Sequence, residues 1–168
     1  MVANYYKLLY RLDGTERFLL WFTNGKDGVV TDSDGFVPSF ATADEVCSFA
    51  DCLDVGISDE APILHDLDPV RNWLDDPRSD GVDCKAVLDA WNLFGDVARS
   101  VSRGAAFLKA DEALGHVYDK LFRGNNIPVM TPEGETYKPV WTPAEVSELA
   151  DLLQAGFELF RRVVLNTA

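Results

Sequence analysis

The chain has few of the residues on which most chemistry depends. Of its 168 residues, two are histidine and three are cysteine. An odd, small number of thiols does not build a disulfide scaffold and fits a reducing compartment. No apolar run approaches the ~20 residues of a membrane span. The opening MVANYYKLLYRLDG lacks the basic start, apolar middle and small-residue cleavage site of a signal peptide. These absences set the expectation of a cytoplasmic protein. Positive charge is short as well: 15 Lys and Arg stand against 28 Asp and Glu, a net charge of −13. Binding to nucleic acid and docking on anionic lipid both need the missing cations.

Apolar side chains, by contrast, are plentiful. Ten Phe, four Trp and five Tyr cannot be left in water cheaply. With a chain of this length they predict one globular domain over 1–168 rather than a disordered acidic tail. The negative charge is local. Residues 44–83 hold twelve acids and two bases, a net of −10 out of −13. Residues 1–43 carry a net of −1 and residues 84–168 a net of −2. The balanced flanks argue against a salt-adapted surface coated with acids everywhere.

The pattern along the chain predicts an α+β fold: an N-terminal antiparallel three-stranded meander followed by about five helices. Tyr5–Leu12 and Arg17–Thr23 read as strands around an Asp13-Gly14 turn, and Val29–Thr31 as a third. Thr42 with Glu45 is a capping box that opens a helix ending near Gly56. Asp68-Pro69 starts a short helix, with Asp68 as its cap, and Asp83 caps the next. That one carries Val87, Trp91, Phe94, Ala98 and Val101 at helical spacing and is expected at the centre of the core. A further helix is expected over 111–123, a short strand over 127–130, and a last helix from Thr142-Pro143 to about Leu165.

No motif amounts to a catalytic signature, and the reading is of a protein that is not an enzyme and holds no cofactor. Asp32-Ser33-Asp34-Gly35 resembles the start of a calcium loop, but its twelfth position is Ala43, not the bidentate Glu that calcium needs. Cys47 and Cys52 are five apart, about 140° around a helix, so they do not converge on a metal. The enzyme alternative is a small hydrolase or metal-dependent enzyme using His65, Asp66 and Cys84. Asp83 beside Cys84 opposes its thiolate.

The acids divide by their local roles. Asp44, Glu45, Asp68 and Asp83 fall where helix starts use them. Asp54, Asp75 and Asp76 fall at helix C-termini, where the dipole disfavours a carboxylate by roughly 0.3–1 kcal/mol. Acids placed against local stability are what a binding surface looks like. The candidate partner-binding residues are therefore Asp51, Asp54, Asp59, Glu60, Asp66, Asp75, Asp76 and Asp80.

The stretch ILHDLDPVRNWL, with the later VDCKAVLDAWNLFGDVARSV, resembles small cytosolic immunity proteins of bacterial contact-dependent inhibition and other polymorphic toxin systems. The resemblance spans residues 63–101. Those proteins share size and acidity rather than one fold, so no binding residue carries over. What the resemblance implies is capture of a cognate basic toxin domain, often a nuclease. The alternative in the same class is a nucleic-acid mimic aimed at a host DNA-binding protein.

Overall fold

A long hairpin organises the chain. In the computed structural model, which describes residues 2–167, β1 (Asn4–Leu12) pairs antiparallel with β2 (Thr15–Thr23) along nine residues each. Asp13 and Gly14 join them with φ of 53° and 74°. Two positive φ values give the turn the twist that matches its strands. β3 (Asp27–Val29) continues the meander against β2. Beyond it, β4 (Val37–Ser39) leaves this sheet, and α1 (Ala43–Cys52) follows. β5 (Leu64–Asp66) then returns to lie parallel to β1, giving the order β3-β2-β1-β5.

Alternation along the hairpin sends side chains to both faces, and both faces are covered. Leu8, Tyr10, Leu19 and Trp21 face the larger helical layer. Tyr5, Phe18 and Leu20 face a smaller cluster with Phe40, Val46 and Ala50 of the α1 layer. The sequence predicts one face on the core; aromatics and leucines at successive positions are the reason there are two.

The larger layer follows α2 (Asp68–Trp73). It comprises α3 (Cys84–Ser100), α4 (Ala105–Ala113), α5 (Gly115–Gly124) and α6 (Pro143–Val163). α3 packs on all of its neighbours here, as the apolar stripe predicts. Trp91 is 1% exposed and Phe94 is fully buried. Phe94 meets Phe157 of α6 edge to face at 4.9 Å. Gly156 makes that crossing possible, since a Cβ there would lie 2.2 Å from the Phe94 ring. The Thr42–Glu45 and Thr142–Glu145 capping boxes form, and Asp83 caps α3 by accepting from Ala86 N–H at 3.0 Å.

Four local expectations differ from the structure. The helix expected over 111–123 is two helices, α4 and α5, with a break at Leu114 (φ −107°, ψ 26°). Residues 127–130 are a turn, not a strand, and Val129 and Met130 are 94% and 68% exposed. Apolar composition does not reveal that Asn126 closes this loop by exchanging two hydrogen bonds with the Tyr137 backbone. The last helix stops at Val163, because β6 (Val164–Asn166) pairs parallel with β4. Asp68 does not cap α2: the cap position is Leu67, with no side-chain hydrogen bond.

Candidate functional site

The eight sequence-predicted acids lie along a segment that wraps the β5 edge of the sheet. Asp51 and Asp54 stand at the end of α1, on the smaller layer. Asp59 and Glu60 lie in the connection to β5. Asp75, Asp76 and Asp80 follow α2, whose Val70 belongs to the larger core. The segment therefore spreads its charge from one layer to the other.

Three of the eight are neutralised locally. Asp66 accepts from Arg11 at 2.8 Å, Asp75 pairs with Arg71 at 3.2 Å and Asp80 with Arg78 at 3.3 Å. Asp51, Asp54, Asp59, Glu60 and Asp76 are exposed and have no ion-pair partner among the described residues. Asp54 has a backbone task that the sequence does not reveal. It sits at φ 56°, just past the α1 cap residue Leu53. Its N–H bonds Asp51 O at 3.0 Å, and Val55 N–H reaches back to Ala50 O at 3.1 Å. This is the six-to-one, five-to-two closure of a Schellman motif, with aspartate in the place glycine usually takes.

His65 and Asp66 are neighbours on a strand, so their side chains leave opposite faces. Asp66 meets Arg11, while His65 turns toward the larger layer. Cys84 is half-buried, and burial followed by the adjacent Asp83 raises its thiol pKa. The three residues of the enzyme alternative do not form one constellation. Among the described residues, no three His, Cys, Asp or Glu side chains gather in a way that could hold a metal ion.

A concave feature lies elsewhere, between the sheet and α3, α4 and α5. It is a cleft of about 670 Å³. Asp96 of α3 forms its inner end, 8% exposed. Trp21 of β2 donates its indole N–H to Asp96 Oδ2 at 2.8 Å, and Arg99 pairs with Oδ1. Burial raises the Asp96 pKa above the usual carboxylate range; the Trp21 and Arg99 contacts oppose that rise, and Asp27 adds to it. Deeper in the wall, the buried Trp91 donates to Asp111 Oδ1 at 2.6 Å. Tyr118 donates its hydroxyl to Asn92 at 2.8 Å. Its pKa is raised by burial, with smaller contributions from Asp111 and Asp96.

No family model, curated protein or solved structure matches the chain. The reading of the site rests on its own chemistry. Asp27, Glu112 and Asp119 complete the acidic lining, and none of the three carboxylates has an ion-pair partner among the described residues. Five carboxylates thus face one cleft that holds a single guanidinium, Arg99. Such a site attracts cations, and its low-dielectric walls focus the field.

The sequence does not mark this cleft. Asp96 shares the polar stripe of α3 with Asp89, Asn92 and Arg99, so periodicity reads it as solvent-facing. The sheet buries it. The only sequence signal is indirect: an indole N–H covered by protein needs an acceptor, and Trp21 and Trp91 each find a carboxylate.

Proposed function

We propose that the chain is a cytosolic binding protein that captures and neutralises a basic protein, a toxin domain of the polymorphic-toxin kind. The observation that carries this reading is the set of exposed carboxylates at Asp51, Asp54, Asp59, Glu60 and Asp76, which have no ion-pair partner among the described residues. Exposed charges of one sign add little to folding, and self-repulsion makes them a mild cost. Toward a basic partner the same charges raise the association rate, up to ~10⁸–10⁹ M⁻¹s⁻¹. A nuclease carries a basic cleft because it binds phosphates, so it answers to this field. A neutraliser needs speed, because it must reach its target before the substrate does. The separation of His65 from Asp66 and the raised Cys84 pKa favour binding over catalysis.

The test begins with a search of the flanks of its gene for a basic toxin domain and co-expression of the chain with it. Growth should be rescued. Association kinetics then follow across a salt series, with Asp51, Asp59, Glu60 and Asp76 replaced by Lys. Asp75 is left alone, because Lys there would face Arg71 one helical turn away. The variant should associate roughly tenfold more slowly at low salt, and the gap should close as screening increases. Failure to rescue growth ends the reading. Unchanged kinetics at every salt concentration would move the contact off these residues.

A further inference from the structure

We infer that the cleft between the sheet and α3–α5 receives an arginine side chain of that basic partner, a use that rests on the proposed binding function. The cleft differs in kind from the exposed acids around α1 and α2. It is concave, and two of its carboxylates, Asp96 and Asp111, are held by indole N–H groups. Trp91 fixes one oxygen of Asp111 and leaves the other without a hydrogen-bond partner among the described residues. The half-buried rings of Trp21 and Tyr118 contribute to the lining beside these carboxylates. Aromatic rings next to ordered carboxylates suit a planar, weakly hydrated guanidinium, which can stack and fork at once. A compact ammonium makes poorer use of the same wall.

Arg99, the cleft's own guanidinium, lies against Gly95 and pairs with Asp96. A Cβ at Gly95 would stand 3.2 Å from Arg99 Nη1, so the absence of a side chain there leaves room for the Arg99 head group. One arginine therefore offsets Asp96 and leaves Asp111, Glu112 and Asp119 without a cation among the described residues. At the α5 end the cleft is open: Gly115 is exposed and a Cβ there would meet nothing within 4 Å, so no side chain blocks approach from that end. Arg99 stays in place, and the incoming side chain pairs with the acids of α4 and α5.

The inference can be tested with the isolated, full-length protein and small probes. Acetyl-arginine-amide, acetyl-lysine-amide and the neutral acetyl-citrulline-amide are titrated while the four indole N–H resonances are followed by NMR. The arginine probe should move the resonances of Trp21 and Trp91, which line the cleft, and leave Trp73 and Trp141 still. The lysine probe should act more weakly and citrulline not at all. Glu112→Gln with Asp119→Asn, two surface changes that spare the core, should weaken the arginine response about tenfold, as loss of charge-assisted pairing requires. Equal shifts with citrulline, an equal or stronger response to lysine, or no movement of Trp21 and Trp91 would each overturn the inference. A cleft that binds the arginine probe in a chain that rescues no toxin leaves the site standing and removes the toxin reading. A chain that neutralises its toxin with a silent cleft overturns the inference alone.

Discussion

The Asp68 carboxylate accepts a hydrogen bond from Gly14 N–H at 2.9 Å, across fifty-four positions of sequence. Its other oxygen accepts from Asp13 N–H at 2.6 Å. Asp13 in turn is held by Arg161 from the last turn of α6 at 2.7 and 3.1 Å. One carboxylate thus ties the tip of the central hairpin to the start of α2, and α6 clamps the same tip from the other side. Asp68 fastens the fold instead of capping its own helix.

Asp68→Ala should therefore destabilise the protein by about 1–3 kcal/mol, the range for losing charge-assisted bonds to backbone N–H groups, with solvent access favouring the lower end. Amide exchange at Asp13 and Gly14 should speed up, while α2 amides keep their protection. Faster exchange confined to the first turn of α2 would restore the capping role.

Asp96 gives a signed pH dependence. Its folded pKa is raised above the ordinary 3.8, chiefly by burial. A raised carboxylate pKa means that the protonated form is the one folding favours. The contribution of Asp96 is then fully present below the unfolded pKa and is lost as pH rises through the folded value. Asp96→Asn keeps an acceptor for Trp21 and carries no titration. Urea melts of the two proteins between acid and neutral pH should show wild type losing ground to the variant as pH rises. A constant difference across that range would contradict the assigned environment.

Asp54 separates conformation from charge. At φ 56° an aspartate is strained relative to glycine by roughly 1 kcal/mol. Asp54→Gly should leave the free protein equally stable or up to about 1 kcal/mol more stable, since part of the relief is returned as unfolded-chain entropy. Asp54→Asn keeps the left-handed tolerance and removes only the charge. Both should slow association with a basic partner alike. If Asn retains wild-type kinetics and Gly does not, backbone shape rather than charge is what the partner reads.

Trp91→Ala should cost about 3–5 kcal/mol, a large part of a domain's stability. The side chain is 1% exposed, stacks edge to face on Tyr118 at 5.4 Å and bonds Asp111. Trp91→Phe should cost less, because it keeps the ring and loses the indole bond. Thermal melts of the pair give the comparison: a Phe variant as stable as wild type would deny the bond to Asp111 any share, and losses as large as those of Ala would deny the ring its place in the core.

Local chemistry was enough to determine the α+β class, the hairpin with its Asp13-Gly14 turn, both capping boxes and the apolar stripe of α3. Each depends on residues within one turn or one strand of each other. The sequence also determined that negative charge concentrates between residues 44 and 83, because charge is additive along a chain. Only the tertiary structure decided where that charge goes. Arg11, Arg71 and Arg78 quench Asp66, Asp75 and Asp80, and the sheet edge divides the rest between two layers. β5 and β6 were invisible because three-residue parallel strands take their hydrogen bonds from distant partners, not from a pattern of their own. The cleft was invisible for the same reason. Asp27, Asp96 and Asp111 are ordinary polar positions on separate elements, and only the packing of α3 on the sheet and of α4 and α5 beside it brings their charges to one place.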